Sequence, residues 1–315
     1  MFTVPPEMHG QTLAAVVRLM APPRSWSEAR QLIKTRRVRV NGNLTLDSAR
    51  RLNAGESIEV RVESALPVPK MRDVVVRFLD DDLIVVEKPP GIQSERRPEE
   101  RSWNPARKAA QPTLDELVAK LVPRSREVRA VHRLDRDTSG LMLFALSPIA
   151  QGHLVRIFAK HEVQRVYTAI VHGRLESART IDTFIVRERG DGIRGSATSG
   201  AEAASGKRAV THVRPMEYLP SGYTVVECRL ETGRTHQIRI HLSEIGHRLC
   251  GEKMYTHAMG QPPEKDQSGA PRIALHSSQL SLVHPITKAQ LQFESPLPRD
   301  LGNWVKKLHE AKGAT

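Results

Sequence analysis

His132-Arg-Leu-Asp-Arg-Asp-Thr-Ser-Gly140 runs directly into Leu141-Met-Leu-Phe-Ala-Leu146, an unbroken apolar run that predicts a strand. In an extended approach to that strand alternate side chains share a side, so Arg133 and Asp135 face a cleft while Leu134 anchors in the core. Thr138, Ser139 and Gly140 supply a tight turn whose hydroxyls can satisfy the backbone. Taken alone, Arg-x-Asp is commonest as a surface ion pair.

A second polar cluster follows about a hundred residues later, in Leu230-Glu-Thr-Gly-Arg-Thr-His-Gln-Ile-Arg-Ile-His-Leu242. A strand ends at Leu230 and the chain turns at Gly233. Ile238, Leu242 and Ile245 then recur at helical spacing, with Thr235 as the expected cap and Gly246 closing the helix. Arg239 emerges in the first turns, where an arginine can hold a carboxylate or a phosphate. His236 and His241 are five apart, so they do not share a helix face as metal-binding i, i+4 histidines do, and no metal site is expected.

Around these clusters the pattern predicts strands at Val74–Leu79, Leu83–Val86, Val166–Val171 and Tyr223–Leu230, and helices at Thr113–Leu121 and Ile149–Lys160. Many strands with few βαβ alternations argue for an α+β enzyme rather than a doubly wound one. Gln93–Gln111 and Arg187–Lys207 are polar stretches with too little apolar surface to order themselves, and are expected as flexible loops.

The chain opens with a smaller unit. Ser25-Trp-Ser-Glu28 is a capping box that starts a helix carrying Ala29, Leu32 and Ile33 on one face, with Arg30, Lys34 and Arg37 exposed beside it. Val38-Arg-Val40 is a short strand, Asn41-Gly42 a hairpin turn, and Ile58–Val62 an alternating strand. Leu66-Pro-Val-Pro69 then forms a linker, which divides the chain into domains 12–65 and 72–315.

The net charge of +13 and isoelectric point near 10.1 point to a polyanionic partner, because neutralised phosphates release counterions. At 4% aromatic residues, a groove lined with many base-stacking rings is excluded, so the basic surface works chiefly on phosphates. Two cysteines supply neither a disulfide framework nor a thiolate metal site, and no run approaches the ~20 apolar residues that span a bilayer. The expectation is a cytoplasmic protein without membrane association or a required protein partner.

Together these stretches carry a resemblance. "VHRLDRDTSGLMLFA" and "LETGRTHQIRIHL" are similar to the two signature motifs of RluA/RluD-type RNA pseudouridine synthases, in the same order. Asp80–Gly91, with its Lys88-Pro-Pro-Gly91, resembles the family's first motif, and Arg272–His276, His284-Pro285 and Pro296–Pro298 resemble its closing strands. "RVRVNG" followed by "NAGESIEV" resembles the small RNA-binding domain first seen in ribosomal protein S-four. The resemblance implies a mixed, largely antiparallel β-sheet catalytic domain with flanking helices, preceded by a small α/β RNA-binding domain.

It implies further that Asp135 is the catalytic carboxylate, Arg239 its ion partner, and Tyr167 the ring that packs on the target base. Arg133 is implied to fill the space left by the flipped base, and His132, Arg136, Arg234, His236, Lys88, Arg30, Lys34 and Arg37 to contact RNA. No cofactor is implied. Large-subunit ribosomal RNA is the expected substrate, with transfer RNA or a non-catalytic role in ribosome assembly as alternatives. Departures from the family pattern are Arg165 for Lys, His247-Arg248 for His-Pro and Gly251-Glu252 for Gly-Asp, expected to conserve charge or to lie outside the pocket except that Arg248 adds a cation to the loop after the helix; the segment after Gly91 is also charged where the family is commonly short and apolar.

The physical logic of the site is shared by these roles. Rejoining uracil through its carbon five requires the base to leave the stack, at a cost of a few kcal/mol that an inserted arginine offsets in part. A protein kinase is set aside, because the chain has no Asn after the aspartate, no Asp-Phe-Gly and no Gly-rich loop.

Overall fold

The computed structural model describes residues 2–20, 25–35, 37–61, 68–190, 192–197, 199–220, 222–257 and 264–310. The chain divides into two compact units, Met1–Pro67 and Val68–Thr315.

In the first unit β1 (Phe2–Thr3), α1 (Leu13–Met20), α2 (Trp26–Lys34), β2 (Val38–Val40), β3 (Asn43–Leu44) and β4 (Ser57–Val60) form a four-stranded antiparallel sheet, order β1-β4-β2-β3, with two helices. The expected capping box is present: Ser25 Oγ accepts from Glu28 N at 3.1 Å and Glu28 Oε2 accepts from Ser25 N at 2.7 Å. Ala29, Leu32 and Ile33 turn inward against Leu13, Val17, Val38 and Ile58. Asn41 and Gly42 both take positive φ, 50° and 73°, as a two-residue hairpin turn requires. The unit begins earlier than residue 12, because Phe2 and Thr3 pair with β4 and Val4 is buried. Val62, the expected end of β4, and Leu66 and Pro67 of the expected linker lie outside the described residues.

The second unit is built on one large sheet. Its elements are β5 (Val75–Leu79), β6 (Leu83–Lys88), α3 (Pro105–Ala110), α4 (Leu114–Val118), β7 (Arg129–Ala130), β8 (Ser139–Ala145), α5 (Pro148–Ala159), β9 (Gln164–His172), β10 (Arg179–Val186) and β11 (Gly195–Ser196). There follow α6 (Gly200–Ser205), β12 (Lys207–Leu219), β13 (Tyr223–Leu230), α7 (Gln237–Glu244), β14 (Leu275–Val283), β15 (Gln290–Glu294) and α8 (Arg299–Glu310). The strand order is β11-β10-β12-β13-β9-β14-β8-β6-β5, with β15 on β14 and β7 on β8. The β14–β8 pair is parallel and the other strand pairs of this unit are antiparallel, so the sheet is mixed and largely antiparallel.

The decisive apolar run is continuous because β8 is covered on both faces. Met142 and Phe144 pack with Leu117, Ile238 and Leu242 from α4 and α7, while Leu141, Leu143 and Ala145 pack with Ala150 and Leu154 of α5. Where β8 meets β14, Gly140 has φ +108°, and a Cβ there would lie 2.2 Å from the Ser277 carbonyl oxygen. Replacing Gly140 by alanine should therefore destabilise the fold by roughly 2–6 kcal/mol, from overpacking and backbone strain together. Thermal unfolding checks this, and an unchanged Tm would mean that β8 and β14 separate at little cost.

Both stretches expected as flexible loops contain ordered structure, anchored by polar rather than apolar contacts. In 93–111 the ring of Trp103 carries the guanidinium groups of Arg107, at 3.7 Å, and Arg96, at 5.6 Å, and Arg96 makes a two-pronged pair with Glu116 at 2.8 and 2.7 Å. In 187–207, Ser196 gives its N–H and hydroxyl to Glu244 at 2.8 and 2.6 Å. Hydrophobic content is the wrong measure for these segments.

Candidate active site

Asp135 sits on a loop whose backbone is held from several directions. Leu134 is buried, and Ser94 Oγ bonds both its N–H, at 3.0 Å, and its carbonyl, at 2.8 Å. Thr138 N donates to Asp135 O at 3.2 Å, closing the turn. Below the loop Lys88 spends its ammonium on three carbonyls, those of Pro89, Arg136 and Thr138, at 3.1, 2.8 and 2.8 Å. Arg272 gives Nη1 to the Asp137 carbonyl and Nη2 to Ser139 Oγ, while its fork is filled by Asp300 from α8.

The loop projects Asp135 into a cavity of about 600 Å³ whose lining includes Arg133, Arg165, Tyr167, His236 and Arg239. Arg239 Nη1 donates to Asp135 Oδ2 at 3.3 Å, and His236 Nε2 lies 3.9 Å from the same oxygen. Arg239 is itself clamped from behind: Nε and Nη2 bond the two oxygens of Glu252, each at 2.8 Å, and its guanidinium stands 5.2 Å over the ring of Tyr255. Burial disfavours the Arg239 charge, yet Glu252 and then Asp135 hold its pKa above the ordinary value. Burial likewise penalises the Glu252 carboxylate, and the Arg239 hydrogen bond outweighs it, holding Glu252 below the usual range.

The second cluster starts its helix one residue later than expected. His236, not Thr235, caps α7, in a left-handed conformation with φ 59° and ψ 18°. That turn directs Nδ1 to the Tyr255 hydroxyl at 2.8 Å and the other ring nitrogen toward Asp135. Burial lowers the His236 pKa, and Asp135 opposes the shift. His241 is fully buried between Thr211 and Thr183, so the two histidines have separate partners and do not form a metal pair.

Tyr167 enters from β9, between Cys228 of β13 and Ser277 of β14 in register. Burial pushes its phenol above the ordinary value. Two positions on, in the opposite direction, Arg165 is buried with Nη2 on the Glu231 carbonyl at 2.9 Å, and a Cβ at Gly233 would come within 2.6 Å of its Nη1. Glycine at 233 makes room for this arginine.

Several residues expected to reach RNA are otherwise engaged. Lys88 is 1% exposed, with its donors turned to the loop, so it is a strut rather than a surface cation. Burial pulls its pKa down to about 7, against the opposing charges of Asp137 and Asp135. His132 accepts from Leu143 N at 3.0 Å and stacks on Phe158 with ring centroids 4.8 Å apart; burial pushes its pKa down to about 3, so it is a neutral packing ring. Arg136 and Arg234 each give Nε to a backbone carbonyl, those of Gly91 and Arg208. Arg133 is exposed and lines the cavity. In the first unit Arg30 and Lys34 are exposed and Arg37 is half-buried.

Glu252 is the residue to which motif reading gives no role. Noted only among departures that keep charge or lie outside the pocket, it lies directly behind Arg239 with its side chain fully buried. Its signal is available in the chain: an acid inside an otherwise apolar and small stretch, Leu249-Cys-Gly-Glu252, needs a buried cation. Among the described residues the carboxylates and ring of Asp80, Asp82 and His284 also converge, within 4.8 Å, but not at this cavity. His284 Nδ1 accepts from Ile286 N and Thr287 N, which leaves the Nε2 proton facing Asp80 at 2.9 Å and the group bracing a turn.

Fold and site together define a mixed-sheet domain with a carboxylate in a nucleotide-sized pocket that is lined by several basic side chains. The profile described as RNA pseudouridylate synthase matches residues 82–244, and the chain belongs to that family. Ribosomal large subunit pseudouridine synthase D of Neisseria meningitidis serogroup B is 36% identical over 312 residues, covering 95% of this chain and 79% of that protein. The Haemophilus influenzae protein of the same name is 34% identical over 315 residues, covering 94% and 91%. The solved structure of human RNA Pseudouridylate Synthase Domain Containing 1 shares the fold, with a TM-score of 0.56 at 24% identity over 79% of this chain and 98% of that one. The protein is thus an RNA pseudouridine synthase of the RluA type. Among the described residues no helix is long and apolar enough to cross a membrane.

Proposed function

We propose that this enzyme isomerises uridine to pseudouridine in large-subunit ribosomal RNA, with Asp135 as the carboxylate that acts on the sugar of an everted nucleotide. The observation that carries the proposal is the placement of Asp135 in the lining of a nucleotide-sized cavity, with one carboxylate oxygen on a single N–H of Arg239. The curated relatives are named for the large ribosomal subunit, which favours that RNA over transfer RNA.

The chemistry is an internal exchange. The bond from ribose C1′ to uracil N1 breaks, a bond from C1′ to C5 forms, and the proton leaving C5 is matched by one gained at N1, so no oxidant or co-substrate enters the balance. Arg239 holds the Asp135 carboxylate in the cavity through one charge-assisted hydrogen bond at 3.3 Å. Tyr167 offers a ring face to the uracil, and Arg133, exposed beside the cavity, fills the gap that the base leaves in the stack. Mapping pseudouridine in total RNA from cells with and without the gene tests the assignment. Loss of particular sites in large-subunit ribosomal RNA is expected. Loss confined to transfer RNA would move the substrate, and an unchanged map would favour a non-catalytic role in ribosome assembly.

The first unit we assign to RNA affinity, on its resemblance to the S-four-type domain and on the exposed cations of α2. Changing Arg30 and Lys34 to alanine together should weaken RNA binding and lower the slope of log affinity against log salt by about 2, roughly one for each phosphate that is no longer neutralised. Turnover at saturating RNA should stay at the parental rate. An unchanged salt slope would remove α2 from the RNA-binding surface.

A further inference from the structure

The Arg239 guanidinium has five N–H donors to distribute, and two of them, along one edge, go to one partner. Nε and Nη2 meet the oxygens of Glu252 at 2.8 Å each, in the parallel two-pronged geometry that fixes an arginine in position as well as charge. Of the donors that remain, Nη1 is the one that meets Asp135, and that contact is longer, 3.3 Å. Glu252 is held just as firmly, accepting from Lys253 N at 2.9 Å and Met254 N at 2.8 Å with its side chain fully buried.

We propose that Glu252 is a positioning residue for isomerisation, which fixes where Arg239 stands and restricts it to a single, long hydrogen bond to Asp135. The catalytic carboxylate is thereby held in place without being locked. If Glu252 released the Nε–Nη2 edge, the guanidinium could turn that edge on Asp135 and pair with it at both oxygens, and Asp135 would no longer be free to engage the sugar. The groups around this arrangement are Arg239 and His236 from α7, Tyr255 beneath them, Lys88 and Tyr167 from the neighbouring strands, and Asp135 itself. None of the others reaches the Nε–Nη2 edge, so Glu252 alone occupies it among the described residues.

The proposal rests on the assignment of Asp135 and Arg239 above. It is tested on the full-length enzyme with Glu252→Gln and Glu252→Asp, following release of the uracil C5 hydrogen as tritium from RNA of cells lacking the gene. Single-turnover rates with enzyme in excess report the step on the sugar, and steady-state runs give KM. Glu252→Gln should lower the rate about 10–100-fold, the usual loss when the partner orienting a functional side chain is removed, with KM for RNA within about twofold of the parent. Glu252→Asp keeps the charged fork and should recover most of the rate, remaining a few-fold below the parent. A merely structural role would reduce the fraction of active enzyme and not the single-turnover rate of what remains. That result, or a folded Glu252→Gln protein at the parental rate, overturns the proposal. Should Glu252→Gln fail to fold, Glu252→Asp decides alone: drawing the fork back by one methylene must lower the rate at constant KM, and a parental rate rejects the role. Asp135→Asn in parallel separates the two levels, because an active Asp135→Asn enzyme defeats the underlying assignment, whereas an inactive one beside a parental Glu252→Gln defeats only this inference.

Discussion

Asp135→Asn should abolish pseudouridine formation, with a loss of at least about a thousandfold, while RNA binding is unchanged or tightened. The substitution preserves shape and removes one negative charge from beside the phosphates. It also deprives Arg239 of an ion partner, but Glu252 still pairs with the Nε–Nη2 edge of that guanidinium, so the cost of an unpaired buried charge is largely avoided. A folded, inactive, RNA-binding protein is therefore the expected product, checked by tritium release, filter binding and thermal unfolding. The control is Asp137→Asn. Asp137 is tied into the loop through its carbonyl, which accepts from Arg272 at 3.2 Å, and this bond survives the substitution. Most activity should persist. An inactive Asp137→Asn enzyme beside an active Asp135→Asn enzyme would move the catalytic role two residues along the chain.

Lys88→Met should be the most damaging substitution outside the cavity. Three carbonyls lose their donor at once, and a buried acceptor left unmatched costs about 1–3 kcal/mol. Removing a buried ammonium returns part of that, so a net loss of roughly 2–5 kcal/mol is expected, with a fall in turnover because two of these carbonyls, of Arg136 and Thr138, set the path of the chain just after Asp135. The effect carries a pH signature. Lys88 titrates at about 7 in the fold against 10.5 when free, so the unfolded chain holds this proton more tightly. Below pH 7 both states are protonated and the folded state carries the whole burial penalty. From pH 7 toward 10.5 the folded lysine is neutral and the unfolded one is not, so the parent gains on the variant by up to about 1.4 kcal/mol per pH unit. Denaturant unfolding of both proteins at pH 6, 7.5 and 9 measures the gap, and a gap that stays constant would mean that Lys88 remains fully charged in place.

The contrast between Lys88 and Arg239 shows what could be read from sequence. The sequence pattern marks Arg239 as a cation near the site, and the resemblance adds Lys88 and supplies the pairing of Arg239 with Asp135, which the structure brings to 3.3 Å. Nothing in Glu87-Lys-Pro-Pro90 announces that the lysine turns inward, since the three acceptors belong to the backbone of residues 89, 136 and 138, and backbone partners leave no trace in side-chain identity. The same holds for His132, whose lone pair is used by Leu143 N, and for Ser94, which bonds Leu134 only through main-chain atoms. Strands were legible where burial is continuous, as in β6, β8, β9 and β13. Trp103 with its two arginines, and Ser196 on Glu244, escape such a reading because order built from cation–ring and charge-assisted contacts has no periodicity to detect.

The place of β14 in the sheet bears on how the enzyme comes into being. Tyr167 lies on β9 and Asp135 on the approach to β8, and these strands do not touch: β14 stands between them, antiparallel to one and parallel to the other. More than a hundred residues separate β9 from the strand that joins it to β8. A chain emerging from synthesis thus has its ring and its carboxylate in hand long before anything aligns them, and Arg272, which braces the loop next to Asp135, arrives with the same late segment. Assembly of the pocket waits on nearly the last strand made, so a prematurely terminated product lacks the means to act on RNA even where both signature motifs are intact.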